Sequence, residues 1–312
     1  METILLTGGT GFVGRQLADR LRSRFPDSRI VAAAPAVSDG LTAEFAPFDL
    51  LDAASIYTLV ADVRPSALVH LAGLTHVQEA QGSGEIVWRA NALGAFHLAE
   101  AVLKTAPECK LLYVSSGEVY GVSGNTHAQL TEDAPLQPAN SYAVTKCAAE
   151  LAFQEAALRG LRVVRARPFN HTGPTQEPRF VVPRIVSQVA KIAKGEQEPV
   201  LRLGALDRAR DFLHVHDVCD AYGEILQEFD RFAGAEALNI ASGEARTIQS
   251  VVDDILDLAG ITCEVVSEPS ALRAYDVLRL CGDASRLRVT LGWTPQIAWR
   301  DLLKEMFAFH MQ

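Results

Sequence analysis

Thr3 to Thr7 (TILLT) form a short apolar run that passes directly into Gly8-Gly9-Thr10-Gly11-Phe12-Val13-Gly14. A helix is predicted to follow, with Phe12, Val13, Leu17 and Leu21 on its inner side. A strand, a glycine-rich turn and a helix in immediate succession constrain the chain to a parallel α/β sheet more than any other stretch does. Gly8 and Gly11 let the backbone turn tightly and approach a ligand. The helix N-terminus offers open amides and a partial positive charge, which suit a pyrophosphate. Gly14 permits close helix–strand packing. A purely structural turn is the other reading, and the flanking strand and helix favour dinucleotide binding over it.

The alternation continues. Arg29 to Ala33 is the second strand, and it ends in Ala33-Ala34-Pro35. An acid there would hold a ribose 2′-hydroxyl and a nearby Arg a 2′-phosphate. Neither is present, so NAD and NADP both stay open. Phe45 to Phe48 is the third strand. Asp49 at its end is placed to hold an adenine amino group, and Asp52 to cap the next helix. Ala67 to Leu71 is the fourth, closing on the small residues Ala72-Gly73, with Thr75 and His76 in the loop that faces the crevice. Lys110 to Ser115 is the fifth, with Ser116-Gly117-Glu118 at its carboxyl end. Leu161 to Arg165 is the sixth, leading to Pro168-Phe169-Asn170-His171. Ser116 and His171 serve either as ordinary loop formers or as contacts to a ligand.

Ser141-Tyr142-Ala143-Val144-Thr145-Lys146 carries the chemistry. Tyr142 and Lys146 are one helical turn apart and share a face, about 6 Å apart along the axis. A phenol titrates near pH 10. An ammonium about 4 Å away at an effective dielectric near 20 is worth roughly 4 kcal/mol, or about three pKa units. That predicts a Tyr142 able to give or take a proton at neutral pH. The motif alone is weak; its setting gives it weight.

The chain is long enough, at 312 residues, for one large α/β domain or one with a smaller lobe, and its 48% hydrophobic and 21% charged content is that of a globular protein. A net charge of −9 argues against nucleic acid and anionic membranes as partners. A strand starting almost at Met1 predicts no signal peptide, and no stretch is apolar for long enough to span a bilayer. The five cysteines (Cys109, Cys147, Cys219, Cys263, Cys281) are scattered without a CxxC, which reads as reduced thiols in the cytoplasm and as no metal site. The helix from about Trp88 to Thr105 and the one carrying Tyr142 are apolar nearly all round. Such helices are buried on two sides. One side packs on the sheet; the other predicts a homodimer through a four-helix bundle.

These elements together resemble the extended short-chain dehydrogenase/reductase family, the NAD-dependent epimerase/dehydratases. The matching pieces are TGGTGFVG at 7–14, HLAG at 70–73, Asn91 with Gly94, SSGEVYG at 115–121, YAVTK at 142–146 and RPFNHTGP at 167–174. RDFLHVHDVCDAY at 210–222, NIASGE at 239–244 and LGW at 291–293 continue the match over nearly the whole chain. The resemblance implies a Rossmann-type doubly wound parallel sheet with a smaller C-terminal substrate-binding lobe. Residues 1–170, with 216–240 crossing back, would bind NAD(P)H; 171–215 and 241–312 would bind a nucleotide sugar. It places the catalytic Ser–Tyr–Lys triad on Ser116, Tyr142 and Lys146. With the residue-level reading above, it gives as candidate cofactor contacts Gly8, Gly11, Phe12, Val13, Gly14, Asp49, Leu50, Leu71, Ala72, Gly73, Asn91, Tyr142, Lys146, Phe169 and His171. Thr75, Ser116, Asn170, Arg184, Arg210 and Arg273 are the candidate substrate contacts, with Asn170, Arg210 and Arg273 at the diphosphate.

Within that family, SSGEVYG, RARPFNHTGP and FVVPRI (180–185) are most similar to the branch that makes GDP-deoxysugars: first GDP-6-deoxy-4-keto-mannose reductases, then GDP-mannose 4,6-dehydratases. Dehydratases use a Glu where Glu118 stands as the base at C5, and usually a Thr where Ser116 stands. Glu118 keeps the dehydratase reading open, while Ser116 and Gly117 lean to the reductase.

After Gly173-Pro174 the strand–helix alternation is expected to stop. Arg202, Arg208, Arg210, Arg273 and Arg279 stand out there in an acidic chain. Arg donates in pairs to a diphosphate better than Lys does. His216 to Phe229 is predicted to be a helix, Leu238 to Ile240 a strand, and Thr247 to Ala259 a capped amphipathic helix.

Overall fold

The computed structural model describes residues 1–75, 84–267 and 277–312. The chain opens with β1 (Thr3–Thr7), α1 (Phe12–Arg24), β2 (Arg29–Ala34), β3 (Glu44–Pro47), α2 (Ala53–Val63) and β4 (Ala67–His70). α3 (Gly84–Trp88) runs through a π-helical turn at Arg89–Leu93 into α4 (Gly94–Thr105). β5 (Lys110–Val114), a 3-10 segment at Gly117–Asn125, α5 (Ser141–Leu158) and β6 (Val163–Pro168) follow. Then come β7 (Asn170–Thr172), α6 (Val181–Ala193), β8 (Val200–Leu203), β9 (Ala209–His214), α7 (Val215–Gln227) and β10 (Ala237–Ile240). The last elements are β11 (Ala245–Thr247), α8 (Ile248–Ala259), β12 (Glu264–Ser267), β13 (Arg279–Leu280), α9 (Ser285–Leu291) and α10 (Trp299–Met311).

Among the described residues, seven strands form one parallel sheet in the order β3-β2-β1-β4-β5-β6-β10. The order reverses between β1 and β4, so the helices cover both faces and the carboxyl ends share one edge. This is a Rossmann-type doubly wound α/β fold. Alternate residues of β1 enter opposite cores. Ile4 and Leu6 pack with α1 and α7, whereas Leu5 packs with α2, α4 and α5. All three are fully buried. Each such side chain contributes about 1.5–3 kcal/mol, which is why a strand covered on both faces reads as an unbroken apolar run.

Helix starts follow local chemistry. Asp52 accepts from the Ala54 amide at 2.9 Å, Asn140 from Ala143 at 2.9 Å, and Thr247 from Ser250 at 3.0 Å. Two expectations change. The sixth strand runs Val163–Pro168, three residues further than the apolar run suggests, because β10 pairs with it from Arg165 to Pro168. The alternation also does not stop after Pro174. α6 lies between β7 and β8, α8 lies between β11 and β12, and β7–β9, β13–β9 and β12–β8 are parallel pairs. Strands of two to six residues are too short to show a period. α6, α8 and α10 close a separate core around Ile185, Val251 and Met306. No helix among the described residues is long and apolar enough to cross a membrane.

Candidate active site

The carboxyl edge of the sheet opens into a cleft of about 970 Å³, large for a small-molecule site. Its floor is the glycine-rich turn. Gly8 has φ +74°, and a Cβ there would lie 2.8 Å from the Ala72 amide nitrogen. A Cβ on Gly14 would lie 2.3 Å from the Gly8 carbonyl oxygen, so α1 can meet β1 this closely only without a side chain. Gly11 precedes α1 in an extended conformation and supplies no side-chain cap, which leaves the first-turn amides for a ligand.

Each strand end adds one wall. Gly8, Gly11, Phe12, Val13 and Gly14 follow β1; Asp49 and Leu50 follow β3; Leu71, Ala72, Gly73 and Thr75 follow β4. Ser116 and Glu118 follow β5, Phe169, Asn170 and His171 follow β6, and α5 contributes Tyr142 and Lys146. Asp49 also ties its own loop, accepting from the Leu51 amide at 2.9 Å. The His171 Nδ1 donates to the Phe169 carbonyl at 3.0 Å, and burial lowers its pKa, so the ring is neutral with Nε2 as an acceptor.

Tyr142 departs from expectation. Burial, and then the Glu118 carboxylate, push its phenol up to about 12, against a lowering hydrogen bond with Ser116. The Lys146 ammonium does not offset this. It donates to the Val114 carbonyl at 2.9 Å and lies 6.0 Å from the centre of the Tyr142 ring. Burial in turn lowers Lys146 to about 8, with the Glu150 carboxylate opposing. Charge counting along the helix captured the pair, but desolvation outweighs the pair's attraction. Tyr142 is therefore a protonated phenol at neutral pH.

Glu118 faces the cleft between two partners. Its carboxylate accepts from the Asn140 amide at 3.3 Å and lies 4.0 Å from the Arg210 guanidinium. Arg210 is 18% exposed and borders the site at Glu118. Two other candidates stand elsewhere. Asn91 is buried behind the wall, bonded to both backbone groups of Leu74 at 2.8 and 2.9 Å and to the Thr145 hydroxyl at 3.1 Å. It shapes the loop after β4 and holds it against α5; it does not face the cleft. Arg184 is exposed on α6 and reaches the Arg202 carbonyl at 3.5 Å. Arg273 and His76 lie outside the described residues.

Sequence reasoning passed over several cleft residues. Asn140 both caps α5 and holds Glu118, and an Asn just before a helix is a legible signal. Arg179 reaches the cleft beside Phe180, 5.2 Å from its ring centre. Gln176 and Tyr222 line the cleft with a buried amide oxygen and a buried hydroxyl that have no hydrogen-bond partner. No local pattern marks these two, because the fold alone brings them to the cleft.

Comparison with known proteins agrees with this geometry. The family model described as GDP-mannose 4,6 dehydratase matches residues 5–306. The chain belongs to this family. The GDP-6-deoxy-D-mannose reductase of Pseudomonas aeruginosa is 34% identical over 98% of this chain and 96% of its own. The GDP-6-deoxy-D-talose 4-dehydrogenase of Aggregatibacter actinomycetemcomitans is 27% identical over 97% of this chain and 96% of its own. Among solved structures, RMD from Pseudomonas aeruginosa complexed with NADPH superposes with a TM-score of 0.82 at 30% identity, covering 100% of this chain and 99% of that one. The chain is thus an extended short-chain dehydrogenase/reductase of the NAD(P)-dependent, nucleotide-sugar type.

Proposed function

We propose that this protein reduces the C4 keto group of a GDP-4-keto-6-deoxyhexose with NAD(P)H, giving a GDP-6-deoxyhexose. The observation that carries the reading is the Tyr142 phenol, which stays protonated and hydrogen-bonded to Ser116 in the cleft. Reduction of a ketone needs a proton donor at neutral pH, and such a phenol is one. The similarity to the Pseudomonas aeruginosa reductase supports the same substrate class.

The residues fit a dinucleotide. The uncapped α1 terminus and the glycine turn suit its pyrophosphate, Asp49 its adenine, and the small Ala72-Gly73 edge leaves room beside Lys146. When bound, the nicotinamide supplies hydride to C4 of the sugar. Tyr142 gives its proton to the alkoxide that forms, Ser116 hydrogen-bonds the same oxygen, and the Lys146 ammonium supplies positive charge nearby. Asn170, Thr75 and Arg210, with Arg273, are our assignment for the nucleotide-sugar diphosphate side. Residues 1–170 with 216–240 serve the cofactor, and 171–215 with 241–312 the substrate. Arg184, turned outward, has no part in this reading.

A GDP-mannose 4,6-dehydratase is the second reading, favoured by Glu118 standing in the cleft within reach of Tyr142's field. Asn140 and Arg210 flank that carboxylate, at 3.3 and 4.0 Å. Two incubations separate the readings. With a GDP-4-keto-6-deoxy sugar and NADPH or NADH, turnover supports the reductase. Formation of the 4-keto product from GDP-mannose alone overturns it. Tyr142→Phe should retain cofactor and GDP-sugar binding and lose about 10²–10⁴-fold in turnover.

The assembly we propose is a homodimer through a four-helix bundle. Trp88, Leu93 and Phe96, on α3, the π-turn and α4, and Leu151 and Leu158, on α5, are 43–88% exposed on the face away from the sheet. Five free thiols are in keeping with a cytoplasmic setting.

A further inference from the structure

The mechanism above uses Tyr142 and Lys146 and leaves the next residue on the same helix face, Glu150, without a role. Glu150 is 1% exposed, and a carboxylate is seldom so deeply buried unless it is paired. The Arg167 guanidinium grips it from β6, with Nη2 at 2.7 Å and Nε at 2.9 Å. Arg165 adds a contact at 3.1 Å, and the Ser115 hydroxyl donates to it at 2.5 Å.

Ser115 is the residue between Val114, which receives the Lys146 ammonium, and Ser116, which bonds Tyr142. Lys146 and Glu150 on α5 are thus pinned to consecutive residues at the end of β5. Arg167 carries the tie further, donating to the Tyr120 hydroxyl at 2.9 Å and the Glu132 carbonyl at 3.0 Å. Tyr120 sits in the 3-10 segment that begins at Gly117 and carries Glu118 in its first turn. One buried carboxylate–guanidinium clamp therefore joins the three elements that present Ser116, Glu118, Tyr142 and Lys146.

We propose that Glu150, clamped by Arg167, is a positioning residue that fixes both the place and the charge of the Lys146 ammonium in the cleft. This rests on the reading of Tyr142 and Lys146 as the catalytic pair. The surroundings leave Glu150 as the anion that acts on Lys146. From β4, His70 is pushed down to about 3 by burial and then by the Lys146 charge, so it is neutral. From β5, Tyr113, 5.1 Å from the ammonium, stays protonated. On α5 itself Tyr142 and Cys147, at about 12 and about 11, are neutral as well. From the 3-10 segment Glu118 acts on Tyr142. From β6, Arg165 and Arg167 act on Glu150. The sign follows. Glu150 opposes the loss of the Lys146 proton, and Arg167 tempers Glu150.

The test reads the titration of Lys146 in the full-length, cofactor-free protein, by pH-dependent acetylation with acetic anhydride and mass spectrometry. Glu150→Gln should lower the midpoint by about one unit. Arg167→Gln should raise it, because Glu150 then acts unshared. A role in stability alone would not move the two midpoints in opposite directions. Where Glu150→Gln fails to fold, since it leaves two guanidiniums unpaired, Arg167→Gln and the double variant carry the test. Midpoints unchanged, or moved the same way in both single variants, overturn the proposal. The readout needs no substrate. A clamp that fails while Tyr142→Phe still abolishes turnover removes this inference and leaves the reductase reading; the reverse outcome removes the catalytic pair and leaves the clamp.

Discussion

Lys146 gives its ammonium to the Val114 carbonyl, 2.9 Å away at the end of β5. That bond holds the charge at the strand end, 6.0 Å from the centre of the Tyr142 ring. Burial lowers Lys146 to about 8 and raises Tyr142 to about 12.

A pH dependence follows with a definite sign. Lys146 is charged below about 8 and loses its proton as the pH rises through that value. Tyr142, at about 12, stays protonated across the same range and does not set the limb. Reductive turnover should therefore fall above about pH 8 with the loss of one proton. Lys146→Arg should move that limb out of range, since a guanidinium keeps its proton. A kcat profile flat to about pH 10 in the unaltered enzyme would remove the ammonium from the mechanism.

Gly14→Ala tests the cradle. Its Cβ would sit 2.3 Å from the Gly8 carbonyl oxygen and 2.6 Å from the Gly9 Cα, all backbone atoms that cannot swing aside. The strain must open the packing of α1 on β1. Loss of dinucleotide binding and a Tm several degrees lower are expected, the latter from a destabilisation of about 1–3 kcal/mol. Unaltered cofactor affinity, measured by titration calorimetry, would show that the turn is not the pyrophosphate seat.

Arg210 and Glu118 give the next measurement. The guanidinium is 4.0 Å from the Glu118 carboxylate and 18% exposed. Arg210→Ala removes the donor assigned to the substrate diphosphate and should weaken GDP-sugar binding by about 2–5 kcal/mol. Cofactor affinity should stay within about twofold. Glu118→Gln separates the two reactions, since a reductase tolerates it and a dehydratase loses its base at C5. Loss of reduction in Glu118→Gln with binding retained would mean that this carboxylate has a chemical role the reductase reading does not give it.

The first half of the fold was readable because its signals are local. TILLT followed by GGTGFVG places β1, the turn and α1 within the opening residues, and Asp52 and Thr247 announce helix starts through bonds two or three residues away. The rest depended on partners distant in sequence. β6 is lengthened by β10, some seventy residues later, and β9 is flanked by β7, β11 and β13. The site divides in the same way. Strand-end loops and the Tyr142–Lys146 spacing place most of its residues. By contrast, the part Asn91 plays in holding the loop after β4 was not legible, because its partners, Leu74 and Thr145, come together only in the fold. The sign of the Tyr142 shift was missed because spacing reports a charge but not the loss of water around it.

The proposed dimer face offers the last test. Leu151 is 63% exposed and Leu158 88% exposed on α5, Phe96 is 43% exposed on α4, and the two helices pack side by side. A monomer would hold this apolar surface in water, whereas the same helices of a second copy would cover it. At the edge of the face Arg159 pairs with Glu100 and Glu155, which gives it a polar rim. Leu151→Glu places a charge in the middle of the contact and should convert the dimer to a monomer in sedimentation at micromolar concentration. The cleft does not include this face, so the monomer should keep cofactor binding. A single monomeric species in the unaltered protein would remove the four-helix bundle, and these side chains would then need another partner.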